Sequence, residues 1–138
     1  MTMTAGTSIQ YMLDTNAVSD FIKGWGQVRA KAMTLPTSAL FISAITEAEL
    51  HYGLAKKPEA KTLHHLVHEF LSRVEVLPWD TECATKCGTL RANLQSKGTP
   101  LGSLDMLIAA HALTYGMVLV TKDKAFELVE ALQTENWF

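Results

Sequence analysis

Short apolar runs recur along the chain, and each gives way to a stretch of helical spacing. Ile9 to Leu13, Leu40 to Ser43, Val74 to Leu77 and Met117 to Val120 read as buried strands. Between them, Val18, Phe21 and Ile22 mark a helix over 17–23, broken by Gly24-Trp25-Gly26. A second short helix runs from Val28 to Leu35 and is stopped by Pro36. Further helices are predicted over 46–55 and over 59–73, the latter with Leu63, Leu66, Val67, Phe70 and Leu71 as its apolar stripe. Asp80 is placed to cap a long helix to Lys97, and Ser103 to cap another to Tyr115. A short helix follows over 124–129, and 131–137 is a candidate last strand at the sheet edge. Strands alternating with helices predict an α/β fold, an α/β/α sandwich around a mostly parallel sheet of four to five strands.

With 138 residues, the chain suits one domain. We place that domain at 10–138. Residues 1–9 are small and polar and read as a flexible leader, without the basic and apolar regions of a signal peptide. No apolar run is long enough to span a bilayer. Cys83 and Cys87 lie four apart in a helical pattern, too close for a relaxed disulfide and too few for a zinc site. Reduced thiols of a cytoplasmic protein are the expectation.

The first strand ends abruptly in Asp14-Thr15-Asn16. In an open parallel sheet, ligands bind just outside the carboxyl ends of the strands, so a carboxylate there is placed for chemistry. It could equally cap the following helix. Three further acids pose the same alternative. Glu49 follows Thr46 at capping-box spacing. Asp105 sits two residues past Ser103, where the helix dipole favours an acid. Asp123 follows the fourth strand and could cap the short helix after it.

Taken together, the four acids converge on the carboxyl edge of a parallel sheet, three beyond strand ends and Asp105 at the start of the helix leading into the fourth strand. Two unit charges about 5 Å apart at an effective dielectric near 20 repel by roughly 3 kcal/mol. Such a cluster exists for a cation or for shared protons. Oxygen-only donors select Mg²⁺ or Mn²⁺. Their chemistry is phosphodiester hydrolysis by a metal-activated water. Asp14, Glu49, Asp105 and Asp123 are the candidate metal ligands and catalytic residues, with Thr15, Asn16 and Thr121 orienting waters or carboxylates from behind. The net charge of −2 argues against a general nucleic-acid coat protein. Setting the four acids aside leaves 12 basic against 10 acidic side chains, which permits a nucleic-acid substrate.

Leu13-Asp14-Thr15-Asn16, Ile42-Ser43 with Glu49-Leu50 and Gly53, Asp105 with Ile108-Ala109-Ala110, and Val120-Thr121 with Asp123 and Phe126 stand in a specific order and spacing. In these motifs the sequence resembles the PIN-domain ribonucleases, and among them the VapC toxins of bacterial toxin–antitoxin pairs. The likeness runs from about Gln10 through Glu135-Asn136-Trp137. It implies a Mg²⁺- or Mn²⁺-dependent endoribonuclease, a homodimer, and inhibition by a cognate VapB-type antitoxin. It also implies that the acids at Asp14, Glu49 and Asp105 carry the metal site, the Asp123 position being more variable. On family analogy alone the substrate is a structured RNA such as a tRNA. The leader is a departure, since members usually begin almost directly with the first strand.

Two other readings compete. One is a non-catalytic RNA- or partner-binding module, which has no reason to bear the repulsion of four acids. The other is a haloacid-dehalogenase-like phosphatase, but Asn16 stands where its second Asp belongs. His64, His65 and His68 with Glu69 lack the His-Glu-x-x-His order of a zinc helix and read as solvated or packing residues. His51 and Tyr52 are candidate RNA or partner contacts, and His111 reads as structural. Trp25, Phe21 and Phe41 are expected in the core rather than in a docking patch. Gly98 to Ser103 lacks the ending of a P-loop, and Ser43 lacks the setting of a nucleophile.

Overall fold

The computed structural model describes residues 8–98 and 101–138. Residues 1–7 of the expected leader, and Thr99 and Pro100 of the loop before Ser103, lie outside the described residues. Five strands form one sheet: β1 (Tyr11–Leu13), β2 (Leu40–Ser43), β3 (Glu75–Leu77), β4 (Val118–Val120) and β5 (Thr134–Glu135). Their order is β3-β2-β1-β4-β5 and all four pairings are parallel. The chain builds outward from β1 to β3, then returns to the other side of β1 to lay down β4 and β5. The direction of building therefore reverses between β1 and β4, and a crevice at such a reversal is where open α/β sheets bind ligands.

Six helices cover the sheet: α1 (Thr15–Lys23), α2 (Val28–Ala32), α3 (Ala44–Ala55), α4 (Lys61–Arg73), α5 (Thr81–Ser96) and α6 (Ser103–Thr114). Side chains alternate across each strand, and the core divides accordingly. Tyr11, Leu13, Leu40, Ile42, Val118 and Val120 face a layer built from α1, α2 and α4. Met12, Phe41 and Leu119 face the opposite layer, with Leu90 and Leu94 of α5 and Ile108, Ala109 and Ala112 of α6. Burial on both faces explains why the strands read as unbroken apolar runs. It is the α/β/α sandwich the sequence predicts.

Several helix starts differ from the sequence expectation. The helix over 46–55 begins two residues earlier, because Ser43 caps it: its Oγ accepts from the Ile45 N–H at 3.0 Å. Thr46 is therefore not the cap, and no capping box joins it to Glu49. Glu49 lies in the second turn of α3. Gly102, not Ser103, is the N-cap residue of α6 and supplies no side-chain bond. α4 starts at Lys61, after an Ala60 that offers no capping group. The predicted second helix is shorter, and Thr37–Ala39 adds a 3₁₀ turn before β2. The last short helix is also 3₁₀, over Lys124–Leu128.

Asp80 caps α5 as expected, accepting from the Cys83 N–H at 3.1 Å. Gly24 ends α1 at φ 73°, a left-handed conformation that glycine adopts without strain. Arg29 of α2 donates to the carbonyls of Phe21 (2.9 Å) and Ile22 (2.8 Å), closing the end of α1. Phe41 is buried, and Phe21 packs edge-on against Phe70. Trp25, by contrast, is 60% exposed, against the expectation of a core aromatic. Gly24 turns the chain outward after α1, and the Lys23 ammonium lies over the Trp25 ring, 4.5 Å from its centre. His65 and His68 are exposed, while His64 is half-buried and bonds the Lys57 carbonyl. Both cysteines are free. Among the described residues no helix is long and apolar enough to cross a membrane.

Candidate active site

The site is built where β1 and β4 end side by side. The Asp14 N–H donates to the Val120 carbonyl at 3.1 Å, extending the strand pairing by one residue. Asp14 is only 5% exposed. Its Oδ1 accepts from the Ala17 N–H at 2.8 Å, so it does cap α1. Capping occupies one oxygen, and the carboxylate also receives a hydrogen bond from the buried Thr121 hydroxyl. Thr121 Oγ1 in turn accepts from the Asp123 N–H at 3.1 Å, which fixes the turn that carries Asp123. Asp123 then caps its own 3₁₀ helix through the Ala125 N–H at 2.9 Å. For Asp14 and Asp123, capping and site membership are compatible, because a cap at the carboxyl edge of the sheet is also a site position.

Asp105 arrives from the other direction. A helix that leads into a parallel strand runs antiparallel to it, so the first turn of α6 lies at the same edge as the ends of β1 and β4. Glu49 comes from α3, and Thr15 reaches it: Thr15 Oγ1 donates to Glu49 Oε1 at 3.0 Å. Thr46 Oγ1 lies 3.4 Å from Thr15 Oγ1 and is fully buried. Thr15 has a single hydroxyl proton, which goes to the carboxylate, so Thr46 is the donor to Thr15.

The electrostatics join the four acids. Burial pushes the Asp14 carboxyl above the usual range, opposed by hydrogen bonds from Thr121 and Ala17 and reinforced by the charges of Asp105 and Asp123. Burial likewise raises Asp105, with added repulsion from Asp123 and Glu49. Each acid therefore feels at least one other across a chain that includes Glu49, Asp105, Asp123 and Asp14. Among the described residues, no three acid, histidine or cysteine side chains already close around a single point. Mg²⁺ needs only one or two carboxylates beside its waters. An all-oxygen donor set under mutual repulsion fits such an ion.

Of the supporting residues named from sequence, Thr15 bonds Glu49 and Thr121 bonds Asp14. Asn16 is exposed and makes no hydrogen bond among the described residues. Thr46, read from sequence as a cap, instead stands behind Thr15. A pair that sequence reading missed lies further back. His111 Nδ1 is 2.8 Å from Ser43 Oγ, and both residues are fully buried. Burial pushes the His111 imidazole pKa down, and among the described residues the buried Nε2 has no partner. Beside Glu49 and Thr15 opens a cavity of about 270 Å³, walled by Leu50, Leu54 and Val67 and edged by Lys23, Lys56 and Lys57.

Fold and site together define an α/β/α protein with an acidic pocket at its topological reversal. The chain belongs to the PIN-domain family, whose model matches residues 11–132. It is 39% identical to the tRNA(fMet)-specific endonuclease VapC of Salmonella typhimurium, over 94% of this chain and 98% of that protein. It is 36% identical to ribonuclease VapC2 of Haemophilus influenzae, with the same coverage. Among solved structures, the VapBC2 complex of Rickettsia felis bound to a promoter DNA fragment aligns with a TM-score of 0.87 at 33% identity, over 94% of this chain and 100% of that one. DNA-bound VapBC of Salmonella typhimurium aligns with a TM-score of 0.86 at 38% identity, over 95% and 100%. Membership of this family sets aside the phosphatase reading.

Proposed function

We propose that this chain is a divalent-metal-dependent endoribonuclease of the VapC toxin type that cuts structured RNA, a tRNA in the first instance. The observation that carries the site assignment is the electrostatic chain through Glu49, Asp105, Asp123 and Asp14, brought from four different segments to one sheet edge. PIN-domain nucleases generally work with a divalent metal, and Mg²⁺ or Mn²⁺ suits these oxygens. Asp14, Glu49 and Asp105 would hold it, with Asp123 completing the acidic pocket. When bound, such an ion supplies charge neutralisation at the phosphate and an activated water.

The protein's own residues do the rest. Thr121 and the Ala17 N–H fix the rotamer of Asp14, so its free lone pairs face the pocket in one direction. Thr15, backed by Thr46, does the same for Glu49. Preset carboxylates lose little freedom when substrate and ion arrive, which is how positioning lowers a barrier. Lys23, Lys56 and Lys57 bring positive charge to the rim beside Glu49, where a phosphate backbone is attracted even though the whole chain is slightly acidic. A homodimer acting in the cytoplasm, restrained by a VapB-type antitoxin, completes the reading. A non-catalytic module has no observation in its favour, because every acid of the pocket is present.

The test is incubation of purified, antitoxin-free protein with total cellular RNA and Mg²⁺ or Mn²⁺, with mapping of the fragment ends. Discrete cuts in a small set of RNAs, abolished by EDTA, are expected. Intact RNA after incubation with folded, metal-supplied protein would reject the nuclease reading.

A further inference from the structure

We propose that His111 is a positioning residue of the nuclease site, holding the Glu49 helix and the Asp105 helix in register through its hydrogen bond to Ser43. The proposal rests on the reading of Asp14, Glu49, Asp105 and Asp123 as one site. α6 carries Asp105 in its first turn and His111 in its third. α3 carries Glu49, and Ser43 is the residue from which α3 springs. The 2.8 Å contact between His111 Nδ1 and Ser43 Oγ therefore joins the two helices that deliver two of the four acids. It does so across the sandwich, since Ile108 and Ala109 of α6 pack in one apolar layer while Leu54 of α3 packs in the other.

The Ile45 N–H takes one lone pair of Ser43 Oγ, and the other polar contact of this buried hydroxyl is His111 Nδ1, so the pair satisfies a buried group and at the same time ties α6 to the start of α3. The other ring nitrogen, Nε2, is buried with no partner among the described residues, a penalty that an apolar side chain of similar size would avoid. What an apolar residue would not supply is a directional bond at one end of each helix. From Ser43 the link continues to the site: the first turn of α3 holds Thr46, Thr46 backs Thr15, and Thr15 holds Glu49. One turn before His111, in the middle of α6, the Trp79 indole N–H donates to the Leu107 carbonyl at 2.9 Å. The His111 bond ties α6 to the origin of α3.

Four variants test this: His111→Leu, Ser43→Ala, their double variant and His111→Asn. Mn²⁺ affinity is measured by titration calorimetry on metal-free protein, and kcat and KM on a defined RNA substrate. His111→Leu and Ser43→Ala are each expected to weaken Mn²⁺ binding about 10-fold and to lower kcat comparably, with KM for RNA unchanged. The double variant should be no worse than the weaker single one. His111→Asn, which restores a polar nitrogen near the Nδ1 position, should recover most of the loss. Wild-type Mn²⁺ affinity and kcat in folded Ser43→Ala would overturn the proposal. So would a loss in His111→Asn as large as in His111→Leu. Should His111→Leu fail to fold, Ser43→Ala and His111→Asn decide together, because Ser43→Ala also removes the cap of α3: wild-type values in Ser43→Ala, or a loss in His111→Asn as large as in Ser43→Ala, overturn the proposal. Asp105→Asn serves as reference: if it still cleaves, the acid-site reading itself fails, and this proposal with it.

Discussion

Asp105→Asn separates the cost of the acid cluster from its use. The replacement is isosteric, so packing around the first turn of α6 is unchanged. Two effects of opposite sign remain. The carboxylate interacts favourably with the helix N-terminus, worth about 0.3–1 kcal/mol. It is also partly desolvated and repelled by Asp123 and Glu49. Two unit charges about 7 Å apart at an effective dielectric of 20 repel by roughly 2.4 kcal/mol. Asp105 is only half-buried, so solvent screening brings this nearer to about 1 kcal/mol per neighbour. Repulsion from two neighbours outweighs the dipole by about 1 kcal/mol, which for a domain of this size raises Tm by about 3–5 °C. In EDTA the inactive variant should therefore melt above the wild type.

The sign with pH follows from the direction of the shift. Asp105 and Asp14 hold their protons to higher pH when folded than when unfolded. Their contribution to stability is complete below the ordinary carboxyl range and is lost as pH rises through the raised values. The advantage of Asp105→Asn should accordingly be largest at neutral pH and shrink on acidification. Saturating Mn²⁺ should invert the order, since only the wild type then gains full binding stabilisation. Thermal melts of both proteins at several pH values, with EDTA or Mn²⁺, read all three. A lower Tm for the variant in EDTA at neutral pH, or an advantage independent of pH, would refute the reasoning.

Thr15→Val keeps the β-branched shape at the start of α1 but removes the bond to Glu49. Losing a part-buried hydrogen bond to a carboxylate costs about 1.4 kcal/mol, so single-turnover cleavage should slow about 10-fold with RNA affinity unchanged. Tyr115, whose hydroxyl donates to the Asp80 carboxylate, has its phenol pushed up to about 12 by that bond. Alkaline difference spectroscopy should find two late-titrating tyrosines, Tyr115 and the buried Tyr11, and Asp80→Asn should return only Tyr115 to the ordinary range near about 10.

The sequence carries the layers and the acids because both depend on local pattern. Strands buried on two faces are continuous apolar runs; Asp14 and Asp123 follow strands, Asp105 opens a helix, and Glu49 lies one turn into another. What escaped depends on partners far apart in the chain. Ser43 and Thr46 are both good caps, three residues apart, and only the extended backbone of Ser43 at the end of β2 decides between them. α3 is half-covered on several sides, so its apolar spacing does not mark its start. α4 begins after Ala60, which leaves no capping signal to read. Thr46 and His111 gain their roles from Thr15 and Ser43, 31 and 68 residues away, a distance that no local spacing spans. Asn16 fails for the opposite reason. It lies next to Asp14 and Thr15 in sequence, but the helical turn carries its side chain to solvent.

The account's central claim is that four carboxylates from four segments form one metal-dependent centre. The most direct measurement is Mn²⁺ binding, followed by electron paramagnetic resonance, beside single-turnover RNA cleavage for the wild type and for Asp14→Asn, Glu49→Gln, Asp105→Asn and Asp123→Asn. The account predicts saturable Mn²⁺ binding by the wild type, and for each variant a parallel loss of affinity and of cleavage. Wild-type binding and cleavage in Asp14→Asn or Asp105→Asn would contradict it and would move the chemistry away from the junction of β1 and β4.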